Sequence, residues 1–145
     1  RSRDAVMPVF SKSSYDKLLT CDNSLQLVFN KVIMKTDCTV LEGERSFADQ
    51  QNYYRTGRSK LDPSNPILLK KCMHLKSPSL AIDVLPYPID WNDKERISLF
   101  AGFVLGIASN LNIKIRWGGN WDSDLTVLKS TADFFDGPHF ELITE

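Results

Sequence analysis

Between about Asn92 and Leu111, apolar side chains at Ile97, Phe100, Ala101, Val104, Ala108 and Leu111 return with the 3.6-residue period of a helix and form one face. A face of that length has to be covered. The remaining chain offers short runs rich in β-branched and apolar residues: CTVLEG, Leu80 to Leu85, Ile113 to Trp117, and HFELI starting at His139. The expected core is therefore a long helix packed across a sheet. Two shorter amphipathic helices precede it. One is capped by Ser13 or Ser14 and runs to about Thr20, and the other carries Leu25, Val28, Phe29, Val32 and Ile33 at helical spacing. Ser46 opens a further helix that runs to about Thr56 and stops before Gly57. Residues 57–72, with two prolines and several small polar residues, read as a long loop. The prolines at 86 and 88 end the second strand, and GGNWDSD is a turn-rich connection.

A chain of 145 residues fits one domain and can bury roughly 68–70% of the surface of its unfolded form, so no second domain or disulfide is needed. The domain is read as residues 7–145. RSRDAV, before Met7, has no pattern and is set aside as a remnant ahead of a natural start at that methionine. Eighteen basic residues balance eighteen acidic ones, so no global field holds a nucleic acid or an anionic membrane. No apolar run reaches the roughly 20 residues of a membrane span, and the N-terminus lacks a signal-peptide core, which points to synthesis in a cytoplasm. Cys21, Cys38 and Cys72 are odd in number and without CxxC spacing. They are expected to be reduced and structural, with Cys72 a neighbour of the site because it stands two residues before His74.

The chain has only two histidines, and each lies near an acid: His74 nine residues before Asp83, and His139 three after Asp136. Two imidazoles and a carboxylate, His74, His139 and Asp83, make a three-ligand shell that suits zinc and leaves a fourth position open for water. Asp136 is then left over as a base, its alternative being a turn residue before Pro138. Arg45 stands at a strand-to-helix junction. It is either a surface partner of Glu42 or Glu44, or a guanidinium that binds a substrate carboxylate or stabilises an oxyanion. Gln50 is either exposed or a partner behind the site. Trp91, Trp117 and Trp121 are expected in the core or a cleft wall, with Trp121 the candidate for packing on substrate.

VLEGERSFADQ, GRSK, KKCMHLKSPSLAIDVLPYPIDW, FAGFVLGIASNLNIKIRWGGNW and DGPHFEL occur in that order from about Phe10 to Ile143. Together they resemble the zinc peptidases of bacterial cell-wall peptides, the superfamily of D-alanyl-D-alanine carboxypeptidases and L-alanyl-D-glutamate endopeptidases, and within it the compact phage endolysins. The resemblance implies a small single α+β domain with a central antiparallel sheet flanked by helices. It also implies His74, Asp83 and His139 as zinc ligands, Asp136 as the catalytic acid or base, and Arg45 as the substrate-binding or transition-state arginine. The chain departs from the family where Cys72 replaces a common serine, Ser79 a frequent glycine, and Asn120 the aspartate of GGDW.

The implied activity is hydrolysis of the L-Ala-D-Glu bond of peptidoglycan stem peptides by a zinc endolysin during host lysis. The alternatives are a D-Ala-D-Ala carboxypeptidase, or a non-catalytic zinc-dependent wall-binding module. The expected partner is peptidoglycan, with no nucleic acid, no stable membrane association and a monomeric state. The protein would be made in the host cytoplasm and meet the wall after the membrane is permeabilised.

Overall fold

Four strands form one sheet in the computed structural model, which describes residues 7–123 and 135–144. They are β1 (Cys38–Glu42), β2 (Ala81–Pro86), β3 (Ile115–Gly118) and β4 (Asp136–Leu142). Their order across the sheet is β1-β2-β4-β3, with every neighbouring pair antiparallel. The helices are α1 (Lys12–Leu18), α2 (Asn23–Ile33), α3 (Phe47–Arg55), the single turn α4 (Pro66–Leu69) and α5 (Lys94–Asn110). The segment 1–6 set aside above lies outside the described residues.

The α+β architecture expected from the sequence is present, and α5 buries the predicted residues Ile97, Phe100, Ala101, Val104 and Ala108. Asp93 caps it, accepting from Arg96 N at 3.0 Å. The helix packs on α2 and across β2, β3 and β4. Phe140 from β4 is fully buried and meets Phe29 of α2 and Phe100 of α5 edge-on, at 5.5 and 6.4 Å between ring centroids. This is where sheet and helices interlock.

Three local readings change. Ser11, rather than Ser13 or Ser14, caps α1, accepting from Ser14 N at 3.1 Å. Ser14 is buried, and its hydroxyl accepts the Val40 N–H of β1 at 3.0 Å, tying helix to sheet. The 57–72 loop contains α4, a single turn started by Asn65 and Pro66, too short to leave a periodic pattern. β4 begins at Asp136, three residues before His139. Pro138 is tolerated there because the β3–β4 register shifts between Trp117 and Gly118, a break that takes up a residue without a ladder N–H.

Phe140→Ala is expected to destabilise the domain by about 3–5 kcal/mol, read from the urea midpoint of unfolding. A loss under about 1 kcal/mol would mean that this three-ring contact is not central to the core.

Candidate metal centre

Side chains alternate along a strand, so residues two apart share a face. On β4, Phe140 faces the helices while His139 and Glu141 face the opposite side. The β2–β4 register sets Asp83 directly across from His139. His74 comes from elsewhere: it lies in a 3₁₀ turn, Met73–Leu75, at the end of the long loop. That turn is held from outside, because His74 O accepts Arg45 N at 2.8 Å and Met73 O accepts Leu80 N at 3.2 Å.

The ring of His74 is oriented by a backbone carbonyl. Its Nδ1 lies 2.7 Å from Gly43 O, and a carbonyl can only accept, so Nδ1 carries a proton and Nε2 is the nitrogen turned toward Asp83. Gly43 suits this post for a steric reason. A Cβ there would overlap Thr20 Oγ1 and the Lys17 carbonyl.

His74 Nε2 stands 3.2 Å, and His139 Nδ1 3.3 Å, from the same oxygen, Asp83 Oδ1. One donor atom from each of the three residues can be chosen so that all lie within 4.8 Å of one another. Tetrahedral zinc with ligands at about 2.0–2.2 Å separates its donor atoms by about 3.3–3.6 Å, a spacing that the two contacts to Asp83 Oδ1 already approach. Nitrogen and carboxylate donors also match its preference.

Asp136 is beside the trio, its Oδ2 3.8 Å from His139 Nδ1 and its side chain 32% exposed. It begins β4 and is not merely a turn residue before Pro138. Arg45 pairs with Glu42 through Nε at 2.8 Å and also through Nη2. Its Nη1 donates to Gln50 Oε1 at 2.6 Å, and Nη2 stands 3.7 Å from Asp83 Oδ2. Gln50 is buried rather than exposed, and its amide also donates to Ser59 Oγ and Leu61 O. Trp121 lies 5.4 Å from the His139 ring, Trp91 is exposed on the cleft wall, and Trp117 is in the core. The cleft over these residues encloses about 800 Å³.

The three cysteines are unpaired and buried, as expected. Cys72 does not join the trio: its thiol donates to Leu68 O at 3.5 Å, and burial pushes its pKa up. Ser79 is buried and donates to Ala81 O at 2.6 Å. Asn120 is buried next to Trp117.

Charge is concentrated on this face. Burial opposes ionisation of Asp83, but the charges and hydrogen bonds of His74 and His139 overcome it and hold the carboxyl well below the usual range. Burial, joined by the negative charge of Asp83, pushes Asp136 up to about 6. His139 is lowered by burial but raised more by hydrogen bonds to Asp83 and Glu141, reaching about 10.

Two contributors were not read from the sequence. Gly43 acts through its carbonyl, which no side-chain pattern reveals. Glu141 accepts from His139 Nε2 at 2.8 Å, and its spacing two residues after His139 on a strand was the available signal.

The family described as phage L-alanyl-D-glutamate peptidase matches residues 7–143. Among solved structures, the Serratia marcescens L-Ala D-Glu endopeptidase ChiX is similar, with a TM-score of 0.70 and 25% identity over 98% of this chain and 96% of that one. No curated protein matches the sequence.

Below about pH 10 the metal-free His139 holds both ring protons, and a metal ligand has to give one up. Zinc binding at pH 7 is therefore expected to release a proton and to weaken as pH falls. Calorimetry in buffers of different ionisation enthalpy measures this; binding without proton release would contradict the assignment of His139 Nδ1 as a donor.

Proposed function

The chain belongs to the phage L-alanyl-D-glutamate peptidase family, and from that premise we propose that it is a zinc-dependent endopeptidase cutting the L-Ala-D-Glu bond of peptidoglycan stem peptides. The observation that carries the reading is the convergence of His74 Nε2, Asp83 Oδ1 and His139 Nδ1 on the cleft, with Asp136 alongside. In this reading His74, Asp83 and His139 hold the ion, and Asp136 is the acid and base. The chemistry that a zinc ion would supply there is polarisation of the scissile carbonyl and a more acidic water.

Asp136 is suited to moving the proton. A carboxyl with a pKa near 6 is largely ionised at neutral pH, yet basic enough to take a proton from the attacking water. Attack forms the C–O bond and breaks the C–N bond to D-Glu, and Asp136 then delivers that proton to the leaving amine. Arg45 supplies positive charge at the cleft wall. Its donors are largely engaged by Glu42 and Gln50, so its contribution is a fixed field rather than a free fork for substrate. The open cleft, about 800 Å³ in volume, has room for an extended peptide.

Among the described residues no helix is long and apolar enough to cross a membrane. We further propose a monomer made in the host cytoplasm that reaches peptidoglycan once the membrane is permeabilised, without nucleic acid as a partner.

Mass spectrometry of peptidoglycan digested by zinc-loaded protein, against a chelated control, is expected to show new D-Glu N-termini. Loss of terminal D-Ala alone would make the enzyme a carboxypeptidase, and no zinc-dependent product would leave a binding module.

Asp136→Asn should keep its zinc and lose about 10²–10⁴-fold in kcat/KM, whereas His74→Ala should lose the metal. For the wild type, kcat/KM should fall as pH drops through about 6, or somewhat lower because a bound cation favours the carboxylate. The sign for stability is opposite. The folded state holds the Asp136 proton more tightly than the unfolded chain, so this group costs metal-free protein stability as pH rises from 3.8 to about 6. Asp136→Asn should therefore raise the unfolding midpoint of the metal-free protein at pH 7; a lower midpoint would contradict the burial argument.

A further inference from the structure

Glu141 is only 7% exposed, yet it is a carboxylate. Such a group has to be compensated. One oxygen, Oε1, accepts from His139 Nε2 at 2.8 Å, and the other, Oε2, faces Arg116 Nη1 at 3.4 Å. The backbone fixes both contacts. Glu141 pairs with Arg116 on β3 and with Ala81 on β2, one strand position pair away from Asp83 and His139 on the same face. Arg116, Glu141, His139 and Asp83 therefore form a continuous line through three adjacent strands.

The two histidines present opposite nitrogens to Asp83. His74 is turned by an acceptor at Nδ1 and offers Nε2; His139 is turned by an acceptor at Nε2 and offers Nδ1. A metal-bound imidazole keeps one ring proton, on the nitrogen away from the ion, and a fixed acceptor at that nitrogen decides which one it is. A carboxylate cannot donate, so it can bond to Nε2 only when Nε2 carries the proton.

We propose that Glu141 is a positioning residue: by accepting the Nε2–H of His139 it fixes the ring with Nδ1 turned to the metal position, so that Nδ1 is the nitrogen whose proton the ion displaces, and Arg116 holds Glu141 in place. The proposal rests on the metal-centre reading above. Glu141 touches neither ion nor substrate in this role and acts through His139. Its effect is on affinity, because a ring already held in orientation loses little rotational freedom when the ion binds.

The test measures zinc affinity by competition with a chromophoric chelator at pH 7.5, for wild type, Glu141→Gln, Glu141→Ala and Glu141→Ala/Arg116→Ala. Glu141→Ala should bind zinc about 10–100-fold more weakly. Glu141→Gln should lose less, because its amide oxygen can still accept from Nε2–H. The double variant removes the stranded guanidinium and should regain stability without regaining zinc affinity. In ¹⁵N–¹H spectra of the zinc-loaded protein, the slowly exchanging His139 Nε2–H signal should be present in wild type and Glu141→Gln, and lost in Glu141→Ala. Unchanged zinc affinity in Glu141→Ala, or affinity restored by the Arg116 change, would overturn the proposal while leaving the metal centre standing. Failure of the wild type to take up one zinc would overturn both.

Discussion

The antiparallel pairing of β2 with β4 places Asp83 opposite His139 and Ile82 opposite Phe140, so one register decides both the core and the site. Strand side chains alternate with a period of two. A slip by one residue would turn His139 toward α5 and Phe140 into the cleft, losing the ligand set and the three-ring contact together. The apolar contacts of Phe140 with Phe29 and Phe100 thus hold the polar face in register. Hydrophobic burial on one side of the sheet fixes the geometry of charge on the other.

That polar face places Asp83, Asp136, Glu141 and Glu42 near one another in a half-enclosed cleft, with Arg45 and Arg116 as fixed counter-charges. Each carboxylate meets a different environment. Asp83 lies between two imidazoles and stays ionised, while Asp136 has fewer compensating partners and is pushed toward neutral pH. The same residue type on one strand pair therefore gives one carboxyl that stays ionised and another that titrates near 6. Such clustering does not favour folding by itself, and the cost is borne by the apolar face behind it.

Much of the fold was legible because it rests on local periodicity. The α5 face, the apolar stripe of α2, the cap at Ser46 and the strand-like character of residues 80–85 all follow from spacing and residue type within a short window. What misled was also local. Ser14 looks like a cap but is drawn into a bond with Val40 on another element, and Asp136 before Gly-Pro looks like a turn but is held in a strand by its neighbours. The antiparallel order of the sheet came from resemblance rather than from periodicity.

By itself the sequence determined which residues could do the chemistry: two histidines, each near an acid, leave few ways to build a metal site. It also determined that one long amphipathic helix needed a sheet. Only the tertiary structure decided which ring nitrogen each histidine presents, since those choices belong to Gly43 O, 31 residues from His74, and to the Glu141 carboxylate beside His139. It also turned Arg45 toward Glu42 and Gln50, and brought His74 from a loop turn to a strand pair. The physical reason is that residue type sets what an atom can donate or accept, whereas direction is set by partners that become neighbours only when the chain has folded.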